Sequence, residues 1–221
     1  FAQFNIQQPV RTVVHPLYDN FGEPMNMNEA RKHLDIPTGI PLIIFFGFIR
    51  KYKGLDLLFD AMKLLKNDTD PAINNLHLLV AGEFYEKEQP YLDQLAQNNI
   101  NDRVILRTSF IADSEVKYYL SAAHVLVQPY RNATQSGVTP LAYHFGVPMV
   151  ITNVGGLPAM VPDGVAGLVA EPSAESIAQK IKEIFQRGPA QFLPGMYEER
   201  KKYSWEKLTS TIVNLANDIQ K

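Results

Sequence analysis

Cysteine is absent from this chain of 221 residues. That excludes a disulfide framework, a thiolate metal site and a cysteine nucleophile. An excess of one charge is also absent: 21 Lys and Arg stand against 23 Asp and Glu, a formal net charge of −2. Such a balance argues against nucleic acid as the main partner, a local basic patch aside. Long apolar runs are missing. Stretches such as Pro41–Phe46 fall far short of the ~20 residues that cross a bilayer, so no transmembrane segment is expected. There is no signal-peptide pattern and no initiator Met. The chain opens Phe1-Ala2-Gln3-Phe4-Asn5, and a piece of a longer protein is expected. With 13 Gly, 15 Pro, 46% hydrophobic and 20% charged residues, the chain is not collagen-like, low-complexity or disordered. The length suits one large domain or two small ones, with a core that needs no staples.

What is present is a rhythm. Short apolar runs recur at Leu42–Phe46, Leu76–Ala81, Val104–Leu106, Val125–Gln128, Met149–Thr152 and Gly167–Ala170. They are bounded by Gly, Pro or charge, as strands buried on both faces of a parallel sheet are. Helical stripes lie between them. Leu55, Leu58, Met62 and Leu65 share one face, Tyr91, Leu92 and Leu95 mark a second helix, and Val116, Tyr119 and Leu120 a third, with Asp113 or Ser114 as cap. Residues 137–145 make a fourth. Ser173 caps a fifth, striped by Ile177, Ile181 and Ile184 and stopped by Gly188. Before the first strand, Asn28 starts a short helix ended by Pro37, after irregular chain around His15–Gly22. The alternation predicts an α/β fold with a Rossmann-like, doubly wound parallel sheet. A last helix, Ser204–Ile219, has no strand after it, and its stripe of Trp205, Leu208, Ile212, Leu215 and Ile219 needs a partner surface.

Ligands of such sheets bind beyond the carboxyl ends of the strands. Three loops there attract attention. Gly47-Phe48-Ile49-Arg50-Lys51-Tyr52-Lys53-Gly54 joins a strand to a helix and carries three cations, so it is either a diphosphate site or a solvated basic turn. It is neither a Walker loop nor a dinucleotide G-x-G-x-x-G. Asn132-Ala133-Thr134-Gln135-Ser136-Gly137-Val138-Thr139 is a second phosphate cradle or an ordinary capped loop. Gly155-Gly156 allows close backbone approach or a plain turn. The five histidines are scattered without metal-ligand spacing; His77 and His124 suit structural roles, while His144, near the second loop, is of more interest. Glu83, after the second strand, is a polar contact or an exposed turn residue, and Glu171 has the same two readings. No metal site and no nucleophile elbow is expected.

Taken in order, Phe45-Phe46-Gly47…Lys53-Gly54-Leu55-Asp56-Leu57-Leu58, Leu79-Val80-Ala81-Gly82-Glu83, Ala122-Ala123-His124…Gln128-Pro129, Gly146-Val147-Pro148, Asn153-Val154-Gly155-Gly156-Leu157-Pro158 and Asp163-Gly164…Gly167 resemble the C-terminal half of a group 1 (family 4) glycosyltransferase. The resemblance covers roughly residues 40–187, and Tyr203-Ser204-Trp205 is typical of the family's C-terminal end. It implies one half of a two-domain GT-B fold. Residues 1–40 would be linker and N-terminal extension, 41–190 the nucleotide-sugar donor-binding domain, and 191–221 a helical segment packing toward a missing N-terminal domain. It also implies retention of anomeric configuration, a nucleoside-diphosphate sugar as substrate and no cofactor. The acceptor, a glycan or lipid, would be held by the missing half. The setting would be bacterial cell-envelope polysaccharide synthesis in the cytoplasm, at most peripheral at the membrane.

Residue by residue, the resemblance gives Arg50 and Lys53 the catalytic role of stabilising the leaving diphosphate. It gives Gly47, Phe48, Glu83, Ser109, Phe110, Gln135, Ser136, Gly137, Val138 and Thr139 to donor binding. Two departures stand out. Phe48 occupies a position where the family places Arg, with Arg50 as the substitute. The family's pair of Glu residues falls on Ala133 and Leu141, or with a one-residue slip on Thr134 and Ala142, and residues 116–162 contain no Asp or Glu at all. That keeps a second reading open, a non-catalytic nucleotide-binding or interaction module. An epimerase would show acidic and His residues in these loops, and a pyridoxal-phosphate phosphorylase a Lys where residues 118–179 have none. The isolated chain is predicted not to transfer sugar.

Overall fold

The structure, a computed structural model, describes residues 8–11, 13–14, 16–17 and 20–219. His15, Tyr18 and Asp19 of the expected irregular stretch lie outside them. Six parallel strands form one sheet in the order β3-β2-β1-β4-β5-β6. They are β1 (Leu42–Phe46), β2 (His77–Ala81), β3 (Val104–Arg107), β4 (Val125–Gln128), β5 (Met149–Thr152) and β6 (Gly167–Ala170). The helices are α1 (Met27–His33), α2 (Leu55–Lys66), α3 (Pro71–Asn74), α4 (Gln89–Gln97), α5 (Val116–Ala122), α6 (Val138–Phe145), α7 (Leu157–Met160), α8 (Ala174–Arg187), α9 (Leu193–Arg200) and α10 (Trp205–Ile219).

Successive side chains of a strand point to opposite faces, and both faces are covered here. Leu42 and Ile44 of β1 join a core with α1, α5 and α6. Ile43 and Phe45 join a second core with α2, α4 and α8. That double burial makes the strands read as unbroken apolar runs. The direction of winding reverses between β1 and β4, which opens a crevice at their carboxyl ends.

Several boundaries differ from expectation for local reasons. α1 starts at Met27, because Asn26, not Asn28, is extended and its Oδ1 accepts from the amides of Asn28 (2.9 Å) and Glu29 (3.4 Å). Neither Asp113 nor Ser114 caps α5; a 3-10 turn over Asp113–Glu115 runs directly into it, with Glu115 N donating to Ala112 O at 2.8 Å. Ser173 does cap α8, accepting from Ser176 N, and the helix stops at Gly188. α3, α7 and α9 carry no legible period, and each has Pro in its first turn, where the missing N–H is harmless.

The two flanking segments reach into this core. Ala30, Arg31, Leu34 and Ile36 are buried before β1, and Phe192, Met196 and Tyr203 after α8. Arg31 donates to Ala122 O, Ile40 O and His124 Nδ1. His124 Nδ1 also accepts from Leu42 N, and burial, with the Arg31 charge, lowers its pKa. His144 is structural too: its ring bonds Gly22 O at 2.6 Å and ties residue 22 to α6. α10 buries none of its residues; Trp205 Nε1 donates to Leu17 O, and Ile212 and Ile219 remain exposed. Among the described residues no helix is long and apolar enough to cross a membrane.

Candidate functional site

The loop after β1 is held by the end of β2. Gly47 N donates to Ala81 O, Ile49 N to Glu83 O, and Tyr85 N to Ile49 O. Ile49 faces inward and is fully buried, which turns Phe48 and Arg50 outward. A short 3-10 turn, Lys51–Lys53, then ends at Gly54. Gly54 has φ +68°, and a Cβ there would stand 2.0 Å from Pro129 O. Only glycine lets this turn close onto the end of β4, and the closure carries Lys53 inward.

Lys53 is 8% exposed, and no carboxylate pairs with it among the described residues. Its Nζ lies 5.7 Å from the ring centre of Tyr130. Burial, and then the Arg50 charge, lower the ammonium from the ordinary 10.5 to about 8. Tyr130 is itself buried, which pushes its phenol up to about 12. Its hydroxyl meets Ser136 Oγ at 3.4 Å, and Ser136 Oγ accepts from Val138 N at 3.2 Å. A buried cation, an aromatic ring, a hydroxyl and the first amide of α6 are thus linked in series.

The second loop is braced by the third. A Cβ on Gly155 would fall 1.6 Å from Ala133 O, and Gly156 N donates to that oxygen. Gly155-Gly156 is a tight turn and also a place of close backbone approach, and what approaches is the second loop. Thr139 exchanges hydrogen bonds with Gln128 inside the core, so its hydroxyl is spent on placing α6. Pro140 has no N–H, and the Val138 amide is engaged by Ser136; among the described residues the Gly137 and Thr139 amides remain without a partner at this helix end.

A cleft of about 380 Å³ lies at these carboxyl ends. Of the residues singled out from sequence, it brings together Gly47, Phe48, Lys53, Glu83, Phe110, Gly137 and Val138. Arg50, Ser109 and Thr139 do not line it, and Gln135 and Ser136 line a separate hollow of about 240 Å³ with Tyr203. Sequence reasoning did not assign Phe21, Asp113 or, behind the wall, Tyr130 to the site. Tyr130 directly follows Gln128-Pro129 at a strand end and was findable by that placement; Phe21 had no such signal. Leu141, at a position where the family resemblance places Glu, makes the α6 wall apolar. A larger hollow of about 600 Å³ opens at the opposite end of the sheet beside Arg31, whose guanidinium makes three hydrogen bonds within the fold. Among the described residues no cluster of three or more His, Asp or Glu could hold a metal.

The family model described as glycosyl transferases group 1 matches residues 40–187. The chain belongs to this family. D-inositol 3-phosphate glycosyltransferase of Corynebacterium aurimucosum is 27% identical over 195 residues, covering 86% of this chain and 46% of that protein. Sucrose-phosphate synthase from Thermosynechococcus elongatus superposes with a TM-score of 0.78 at 23% identity, over 95% of this chain and 52% of that one. HepE of Anabaena, solved in complex with UDP-glucose, gives 0.77 at 17% identity, over 94% and 57%. The chain therefore spans about half the length of the relatives it matches. The parallel six-stranded sheet with helices on both faces is the Rossmann-like half of their GT-B fold.

Proposed function

We propose that this chain is the donor-binding half of a retaining glycosyltransferase. It takes a nucleoside-diphosphate sugar as substrate and passes the sugar to a glycan or lipid acceptor in glycan, polysaccharide or glycolipid synthesis. Lys53 carries the reading: a buried ammonium without a carboxylate, in the same cleft as the start of α6 and at the sheet's switch point. An anion there supplies the charge that the fold withholds and meets the positive end of the helix. The likeness to HepE, whose complex holds UDP-glucose, supports a UDP-sugar as the first donor to try.

In this reading the bond between the anomeric carbon and the diphosphate oxygen breaks, and negative charge grows on the diphosphate. Lys53 from within and Arg50 from the rim stabilise it, with the Gly137 and Thr139 amides. Gly47, Phe48 and Glu83 wall the sugar, and Phe110, with Ser109 beside it, borders the nucleobase. Ser136 holds the start of α6, and exposed Gln135 beside it offers its amide to a donor hydroxyl at the edge. The acceptor and the group that deprotonates it belong to the other half of the protein, unless the leaving phosphate takes the proton itself. A cytoplasmic location with peripheral contact at the membrane face belongs to the same proposal.

One observation favours a second reading. No Asp or Glu lies between residues 116 and 162, so α6 offers no carboxylate to donor hydroxyls. A nucleotide-binding module without transfer activity fits that. Calorimetric titration with UDP, GDP and ADP tests the shared part of both readings. One nucleotide is expected to bind selectively; silence with all three would remove the donor-site proposal.

A further inference from the structure

The cleft at the carboxyl ends is unevenly supplied with polar side chains. Its α6 wall is Val138 and, one turn on, Leu141; Val116 of α5, Phe21, Phe46 and Ile111 join them. None of these six side chains can accept a hydrogen bond. Two carboxylates line the cleft, Glu83 after β2 and Asp113 at the entry to α5.

Asp113 is placed by its backbone and by a neighbour. From Phe110 the chain runs through extended Ala112 (φ −65°, ψ 149°) into the 3-10 turn that starts at Asp113. Asn20 Nδ2 donates to Asp113 Oδ2 at a long 3.3 Å. The segment carrying Asn20 is itself tied down, by Gly22 O to the His144 ring and by Met25 N to Ser121 Oγ at 3.2 Å. Asp113 remains exposed, and no cation pairs with it among the described residues. An ionised carboxylate has about four acceptor positions, so one long bond leaves this group able to take more.

The donor reading fixes both ends of a nucleoside diphosphate: the diphosphate at Lys53 and the start of α6, the nucleobase at Phe110. Ribose joins them covalently, so its hydroxyls fall between α6 and Phe110. Set against the six hydrocarbon side chains alone, they would be desolvated without a partner, which costs affinity. Asp113 stands three residues beyond Phe110, whereas Glu83 stands with Gly47 and Phe48 at the sugar end.

We propose that Asp113 is the ribose-reading residue of the cleft. Its carboxylate accepts from the 2′- and 3′-hydroxyls of the donor nucleotide and selects ribonucleotides over deoxynucleotides. This rests on the donor-site reading, and it supplies from the loop after β3 what α6, without a carboxylate, does not.

The test is calorimetric titration of the wild-type chain and of Asp113→Ala with UDP, GDP and ADP and with their 2′,3′-dideoxy counterparts. Wild type is expected to bind its preferred ribonucleotide at least about tenfold more tightly than the dideoxy form, as for loss of a charge-assisted hydrogen bond. In Asp113→Ala that ratio should fall close to one, with dideoxy affinity unchanged. The unchanged dideoxy affinity shows that the variant keeps its fold and its diphosphate contacts. Equal affinity of wild type for the two forms would refute the proposal, and so would a ratio that survives in Asp113→Ala. Loss of dideoxy binding in the variant would also refute it, since Asp113 would then support the cleft as a whole. In each of these cases the donor site stands. If wild type binds none of the six nucleotides, the donor reading itself fails, and the role of Asp113 with it.

Discussion

Lys53→Met removes a charge and keeps a long, adaptable stem in the same pocket. Its effect on stability follows from the ammonium's surroundings. Burial and the Arg50 charge bring the group from 10.5 to about 8. A shift of that size corresponds to about 3 kcal/mol. The sign is set by protonation. Below pH 8 the lysine is charged in both the folded and the unfolded chain, and the folded chain carries the whole penalty. Between pH 8 and 10.5 the folded chain has released a proton that the unfolded chain keeps, so wild-type stability rises with pH. Tyr130 acts oppositely: its phenol is raised from 10.0 to about 12, so the stability it brings is lost from about pH 10 upward, at the top of this window. Lys53→Met should thus be the more stable protein at neutral pH, by up to about 3 kcal/mol, and the advantage should shrink through this window. Urea unfolding followed by far-ultraviolet circular dichroism measures both curves. Equal or lower stability of Lys53→Met at neutral pH would refute the picture of an uncompensated buried cation. So would a wild-type curve that stays flat from pH 8 to 10, below the ionisation of the buried tyrosines.

Further outcomes follow from the same geometry. Gly54→Ala combines a left-handed backbone with a Cβ 2.0 Å from Pro129 O. It should destabilise by more than about 2 kcal/mol in denaturant unfolding, and an unchanged midpoint would contradict the close approach. Thr139→Val strands the Gln128 amide in the core and should cost about 1–3 kcal/mol. Because that pair positions α6, nucleotide affinity should weaken as well; wild-type affinity and stability together would rule the role out. The 221-residue chain alone should show no sugar transfer to any acceptor, and turnover by the pure chain would overturn the division of labour between halves.

The sheet was legible because its inner strands are buried on both faces. Val125–Gln128, Met149–Thr152 and Gly167–Ala170 begin and end where the apolar runs do. The short helices were not, because four residues such as Leu157–Met160 hold barely one turn and show no period. The loops were readable by kind and not by contact. Gly155-Gly156 could be identified as a place of close approach and Gly54 was not, and the backbone that approaches, Ala133 in one case and Pro129 in the other, lies far away in sequence. Three cations in four residues drew attention to the first loop, yet nothing in the sequence distinguished buried Lys53 from exposed Lys51. That difference depends on the 3-10 turn and its closure onto β4. Tyr130 shows the same gap: its ring and hydroxyl join two loops that the sequence presents 75 or more residues apart, Lys53 on one side and Ser136 on the other.

The central claim is that Lys53 serves as the anion contact of a nucleotide-sugar cleft at the switch point between β1 and β4. The most direct measurement compares calorimetric titrations of the wild-type chain and Lys53→Ala with whichever of UDP, GDP and ADP binds. Selective binding by wild type that weakens at least about tenfold in the variant is the predicted result, as expected for loss of a charge-assisted contact. Equal affinity of the two proteins would place the nucleotide elsewhere and contradict the account.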